Sequence, residues 1–71
     1  MEKLVSTTNA VRLSFLLALL RDACIPVHVF DADISALEGS IGAFPRRIML
    51  PSERLLEAKT LLENAQEFYD D

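Results

Sequence analysis

Apolar and polar positions along the chain regroup several times, and each change of rhythm predicts an element. The stretch "KLVST" (3–7) is short and β-branched and runs into the polar "TTN" (7–9). That predicts a strand followed by side-chain oxygens able to cap a helix. The apolar period then changes: Leu13, Leu16, Leu17, Leu20 and Cys24 recur at three- and four-residue intervals, the spacing of one helix face. Val11, Phe15 and Leu19 add a second stripe, so this helix is apolar over more than one face. Pro26 disfavours helical geometry in Ile25, which places the helix stop near Ala23 and Cys24. "IPVHVF" (25–30) then reads as a second strand, with Val27 and Val29 on one side and His28 and Phe30 on the other.

"DADISALEG" (31–39) suits one or two helical turns, capped at Asp31 or Asp33 and ended by Gly39. "RRIML" (46–50) predicts a third strand, with Arg46, Ile48 and Leu50 on one face and Arg47 and Met49 on the other. "PSERLLEAKTLLENAQEFY" (51–69) is the clearest amphipathic pattern. Ser52 is placed to cap it, and Leu55, Ala58, Leu62, Ala65 and Tyr69 form its apolar stripe. Glu63 and Glu67 face outward, with Lys59 at the i, i+4 spacing that supports a helix surface. The acidic end, about 68–71, is expected to be solvated and frayed.

The predicted order is strand, helix, strand, strand, helix. A right-handed crossover sets the first two strands parallel and leaves the third between them, antiparallel to both. The expected fold is α+β, a ferredoxin-like split βαββα with a three-stranded sheet in order 1-3-2 and two helices on one face. The whole of 1–71 forms a single small domain. The helix-free face carries part of the apolar pattern, which makes it a docking surface or an aggregation liability.

Length and charge narrow the picture. A chain of 71 residues buries only roughly 60% of its unfolded surface, and such small cores often recruit a second copy. A homodimer is therefore expected. Cys24 is the sole cysteine and cannot bridge within the chain, which fits a reducing cytoplasm. Seven basic against eleven acidic residues, a net charge of −4 and a pI near 4.8 argue against nucleic acid. The apolar run "SFLLALL" (14–20) lies between Arg12 and Arg21–Asp22 and falls well short of the ~20 residues that span a bilayer. Glu2 and Lys3 leading into "LVSTTN" do not make a secretory leader. The expectation is a soluble cytoplasmic protein with neither membrane nor nucleic acid as partner.

The runs "VSTTNAVRLSFLLALLRDACIPVHVFD" and "SALEGSIGAFPRRIMLPSERLLEAKTLLE" together carry a resemblance. They join a polar cap before an "L-x-x-L-L" helix, an "A-x-I-P-V" exit, a glycine-containing loop, and a "P-x-x-x-M-L-P" entry to the last helix. In this the chain resembles the small bacterial family labelled putative prokaryotic signal-transducing protein, from about Leu4 to Leu62. The resemblance implies a compact α+β fold and no established activity. It also exposes one departure: where relatives usually have glycine at the end of the first helix, this chain has Cys24. Glycine takes the left-handed cap conformation freely, while another residue pays about 1–2 kcal/mol. Either the helix ends differently here, or Cys24 accepts strain for packing.

Candidate chemistry is sparse. "GSIG" has the G-x-x-G form of a KH-domain clamp, but a KH loop joins two helices and this one leads into a strand. It lacks the glycine count and lysine of a P-loop or dinucleotide fingerprint. A plain turn into a strand accounts for Gly39, Gly42 and Pro45. The sharper alternative is a small anionic-ligand site of Glu38, Gly39, Ser40, Gly42, Arg46 and Arg47, in which backbone amides and guanidinium groups meet an anion. Glu38 paired with one of the arginines would instead be structural. Cys24 and His28 are four apart across a helix end and a strand, so no second soft ligand stands at useful spacing, and no metal and no cofactor are expected. No base accompanies Cys24, and Asp31 and Asp33 read as caps, so no enzyme is expected. What remains is a cytoplasmic interaction or regulatory module acting by protein–protein binding or homodimerisation. Its candidate contacts are Val11, Phe15, Leu19, His28, Phe30 and Met49.

Overall fold

A computed structural model describes residues 1–31 and 45–71. Within them β1 spans Glu2–Thr7, α1 Ala10–Asp22, β2 His28–Asp31, β3 Arg46–Leu50 and α2 Leu55–Asn64, with a 3-10 turn at Ser52–Arg54 leading into α2. The strands form a sheet in the order β1-β3-β2, with β3 antiparallel to both neighbours. The α+β fold expected from the pattern is therefore the fold observed. The helical turns expected over 31–39 lie outside the described residues apart from Asp31, the last residue of β2.

Register fixes which side chains share a face. Val5, Ile48 and Val29 stand opposite one another across the sheet and point to the helices. Leu16 and Leu20 of α1, Ala58 and Leu62 of α2, and Ile48 and Leu50 of β3 are fully buried in one cluster, so both helices cover this one side. β1 breaks strict alternation: a bulge between Lys3 and Val5 lets Leu4 and Val5 both point inward. The second strand is shorter than expected. Pro26 has no N–H to give a ladder, and the Ile25 N–H closes the helix end at the Leu20 carbonyl (3.0 Å), so pairing starts only at His28.

Asn9 starts α1, its side-chain oxygen accepting from the N–H groups of Val11 (2.9 Å) and Arg12 (3.1 Å). The far end is a Schellman cap: the Ile25 N–H reaches the Leu20 carbonyl and the Cys24 N–H the Arg21 carbonyl (2.9 Å). Cys24 has φ 61° and an exposed thiol. It thus holds the glycine conformation without gaining packing. Cys24→Gly is expected to raise stability by about 1 kcal/mol, read as a higher urea midpoint with unchanged slope. An unchanged or lower midpoint would show that the left-handed cap costs nothing here.

Two expectations for the last helix fail. Ser52 makes no capping bond; its hydroxyl donates instead to Glu2 Oε2 at 3.4 Å. The helix also stops at Asn64, not at Tyr69. A second Schellman cap closes it, with Gln66 at φ 60° and the Glu67 N–H on the Leu62 carbonyl at 2.7 Å. Ala65 and Tyr69, predicted for the buried stripe, are exposed. The chain turns back at Gln66 toward β1, and the reason lies in Arg12.

Candidate functional site

Arg12, Leu16 and Leu20 recur every four residues, so they share the inward face of α1. Arg12 is buried, its side chain 8% exposed. A guanidinium taken from water must find partners for its donors. It finds them in residues 67–71. Nε–H donates to Glu67 Oε1 (2.9 Å), Nη1 to Asp71 Oδ1 (2.9 Å), and Nη2 to the carbonyls of Glu67 (2.7 Å) and Tyr69 (2.8 Å). The Tyr69 ring lies against the guanidinium, 3.9 Å from its centroid. Burial works against the Arg12 charge, but Glu67 and Asp71 outweigh it and hold the pKa above its ordinary value.

The same segment meets the outer edge of β1. The Ser6 N–H donates to Asp70 Oδ1 (2.9 Å), the Asp71 N–H to the Ser6 carbonyl (3.1 Å), and Lys3 Nζ to Asp70 Oδ2 (2.9 Å). Both edge groups of Ser6 are thereby used, which blunts an edge that would otherwise pair with another chain. Phe68 sits beneath the ammonium of Lys59, 5.4 Å from the ring centroid. Between segment and strand lies an open cleft of about 300 Å³, lined by Lys3, Leu4, Val5, Phe68, Tyr69 and Asp70. The acidic end expected to fray is thus docked. Local pattern could not show this, because Arg12 and its partners are 55 to 59 residues apart. One signal was available: an arginine on the leucine stripe is a buried charge in need of carboxylates.

Electrostatics give the contact a pH signature. Asp70 lies below the usual carboxylate range because of the Lys3 hydrogen bond, then the Ser6 N–H. Asp71 is lowered by the Thr7 hydroxyl and then by Arg12. A carboxylate lowered in the folded state binds fewer protons than in the unfolded chain, so its stabilisation is complete above the unfolded pKa and disappears as pH falls through the folded one. Stability is expected to be level near neutrality and to decline below about pH 4–5. Asp70→Asn with Asp71→Asn should flatten the decline in urea midpoint, and an unchanged slope would remove these two groups as its cause.

The residues proposed from sequence fall on separate surfaces. Lys3, Met49 and His28 stand opposite one another across the sheet, as do Ser6, Arg47 and Phe30, all on the face away from the helices. Phe30 is 44% exposed and Met49 half-buried. Val11 (80% exposed) and Phe15 (50%) look outward from α1, on the other side of the sheet, with Leu19 half-buried beside the core. The six candidate contacts therefore form two patches, one on the outer side of α1 and one on the open sheet face. Of the candidate anion site, Glu38, Gly39, Ser40 and Gly42 lie outside the described residues. Arg46 and Arg47 occupy opposite faces of β3, Arg46 half-buried on the helix side and Arg47 exposed on the open side. Among the described residues no group of three or more His, Cys, Asp or Glu converges as a metal site, and no helix is long and apolar enough to cross a membrane.

A family model described as "Putative prokaryotic signal transducing protein" spans residues 1–66, and residues 67–71 lie beyond the matched stretch. No curated protein and no solved structure matches the chain.

Proposed function

The chain belongs to this family of prokaryotic signal-transducing description, and from that premise we propose that it is a non-enzymatic cytoplasmic interaction module, acting by protein–protein binding through the helix-free face of its sheet. It rests on one observation. His28, Phe30, Arg47 and Met49 stand side by side on a sheet face that no described element covers, an apolar centre with a basic margin. Apolar side chains flanked by charges are the common make-up of an interface core and rim. A second copy of the chain is the simplest partner, because a domain this small gains buried area that it cannot supply alone.

Solution mass by light scattering tests this. The wild-type chain is expected at twice 7.9 kDa, with Phe30→Asp reduced to a single chain while its circular dichroism stays native. Phe15→Asp, on the outer side of α1, is expected to keep the dimer. A wild-type mass of one chain would remove the second copy as partner. A dimer lost with Phe15→Asp and kept with Phe30→Asp would move the interface to α1.

A further inference from the structure

Residues 67–71 are bound in the way a peptide is bound. Arg12 grips two carboxylates and two carbonyls, Lys3 holds a third carboxylate, the Ser6 N–H and carbonyl take up the edge contacts, and Tyr69 lies on the guanidinium. This combines a sheet-edge contact, made by one main-chain bond and by the Asp70 carboxylate, with acidic-motif capture by a buried arginine, a recurring mode of peptide recognition. We propose that Arg12, Lys3 and the outer edge of β1 at Ser6 form a receptor site for a short, turned acidic peptide of a partner protein, a site that residues 67–71 fill in cis.

Three observations carry the proposal. Burying an arginine among carboxylates is a weak way to stabilise a fold, because desolvation offsets most of the attraction, and its best-attested use is to specify a contact. The charges are also placed against the chain's average: a molecule of net charge −4 gathers Arg12 and Lys3 at this edge and presents them to acid. Finally, residues 65–71 have somewhere else to go. The helical stripe of α2 continues through Ala65 and Tyr69, with neither glycine nor proline between Ser52 and Asp71 to stop it. The helix ends where Gln66 takes a left-handed φ of 60°, which a residue with a Cβ resists. Releasing the segment relieves that strain, so a partner peptide meets a site whose occupant has an alternative state. The chemistry asked of the partner is an acidic residue and, two positions on, an aromatic residue followed by two acidic ones, the order of Glu67, Tyr69, Asp70 and Asp71.

The experiment uses the full chain. A fluorescein-labelled peptide with the sequence of residues 64–71, NAQEFYDD, is titrated at low salt and followed by anisotropy. The cis contacts are opened with Glu67→Ala, Tyr69→Ala, Asp70→Ala and Asp71→Ala together. The opened chain is expected to bind at least about tenfold more tightly than wild type, whose site is mostly filled. It should lose at least about tenfold when Arg12→Gln is added, and as much when the peptide is NAQEFYNN. Equal binding by opened and wild-type chains, indifference to Arg12→Gln, or equal binding of NAQEFYNN would each overturn the proposal.

Should the opened chain fail to fold, excess unlabelled peptide is added to the wild-type chain and followed by nuclear magnetic resonance. Displacement must move the signals of residues 67–71 together with the Ser6 amide and Arg12 Nε–H, and stationary signals at about 10 mM peptide would overturn the site. A wild-type dimer that dissociates on Arg12→Gln would make the second copy's own segment the occupant and overturn the assignment to a partner protein.

Discussion

Replacing Arg12 with alanine is expected to lower the unfolding free energy by about 2–3 kcal/mol. The thermal midpoint should fall by about 10–20 °C in a domain of this size. The side chain is 8% exposed and makes four hydrogen bonds, two to carboxylates and two to carbonyls. Deleting it leaves Glu67, Asp71 and two carbonyls to water, and it releases Tyr69 from the face of the guanidinium. The partners are only partly buried, so water recovers some of the loss, which places the estimate below that of a fully buried pair. Lys3→Ala, which removes an exposed pair with Asp70 (2.9 Å), should cost only about 0–1 kcal/mol. Chemical denaturation of both variants separates the cases. Equal, small effects would show that Arg12 is a surface arginine and that residues 67–71 are not held.

Leu16→Ala is expected to cost more, about 3–5 kcal/mol. Leu16 is fully buried between the helices and the sheet, in the same cluster as Leu20, Ile48, Leu50 and Leu62. A chain of 71 residues has a total stability of only roughly 4–11 kcal/mol. One cavity in its centre therefore removes a large share, and the variant should be partly unfolded at 37 °C. Leu56→Ala is the matched control. The side chain is 76% exposed on α2, so the same deletion should change stability by less than about 0.5 kcal/mol. Similar losses in the two variants would mean that the core does not centre on α1.

Much of the architecture was legible because it is periodic. Leu13, Leu16 and Leu20 recur at helix spacing and are buried, and Ile48 and Leu50 alternate and are buried. Element order and crossover hand then left the order 1-3-2 as the arrangement to expect, and it is the one observed. The failures have a common cause. Leu4 points inward because a bulge breaks alternation, and α2 stops at Asn64 because contacts to Arg12, 55 residues and more away in sequence, override a helical pattern that runs on to Tyr69. Local propensity is a small term that tertiary ion pairs and a capped turn can outweigh. The helix-end departure at Cys24 was visible in sequence, and the structure decides it: the glycine geometry is kept with a cysteine in place. Of the candidate contacts, alternation on β2 and β3 placed His28, Phe30 and Met49 together. Val11 and Phe15 belong to the second stripe of α1, and with both helices expected on one face of the sheet they were already set apart from the helix-free face.

The docking of residues 67–71 on Arg12 is the premise of both the stability account and the peptide site. It is tested most directly by nuclear Overhauser contacts between the Tyr69 ring protons and the Arg12 δ-protons in the wild-type chain at neutral pH. With the ring centroid 3.9 Å from the guanidinium carbon, strong cross-peaks and upfield-shifted Arg12 δ-protons are predicted. Random-coil shifts over residues 67–71 with no cross-peak to Arg12 would contradict the account.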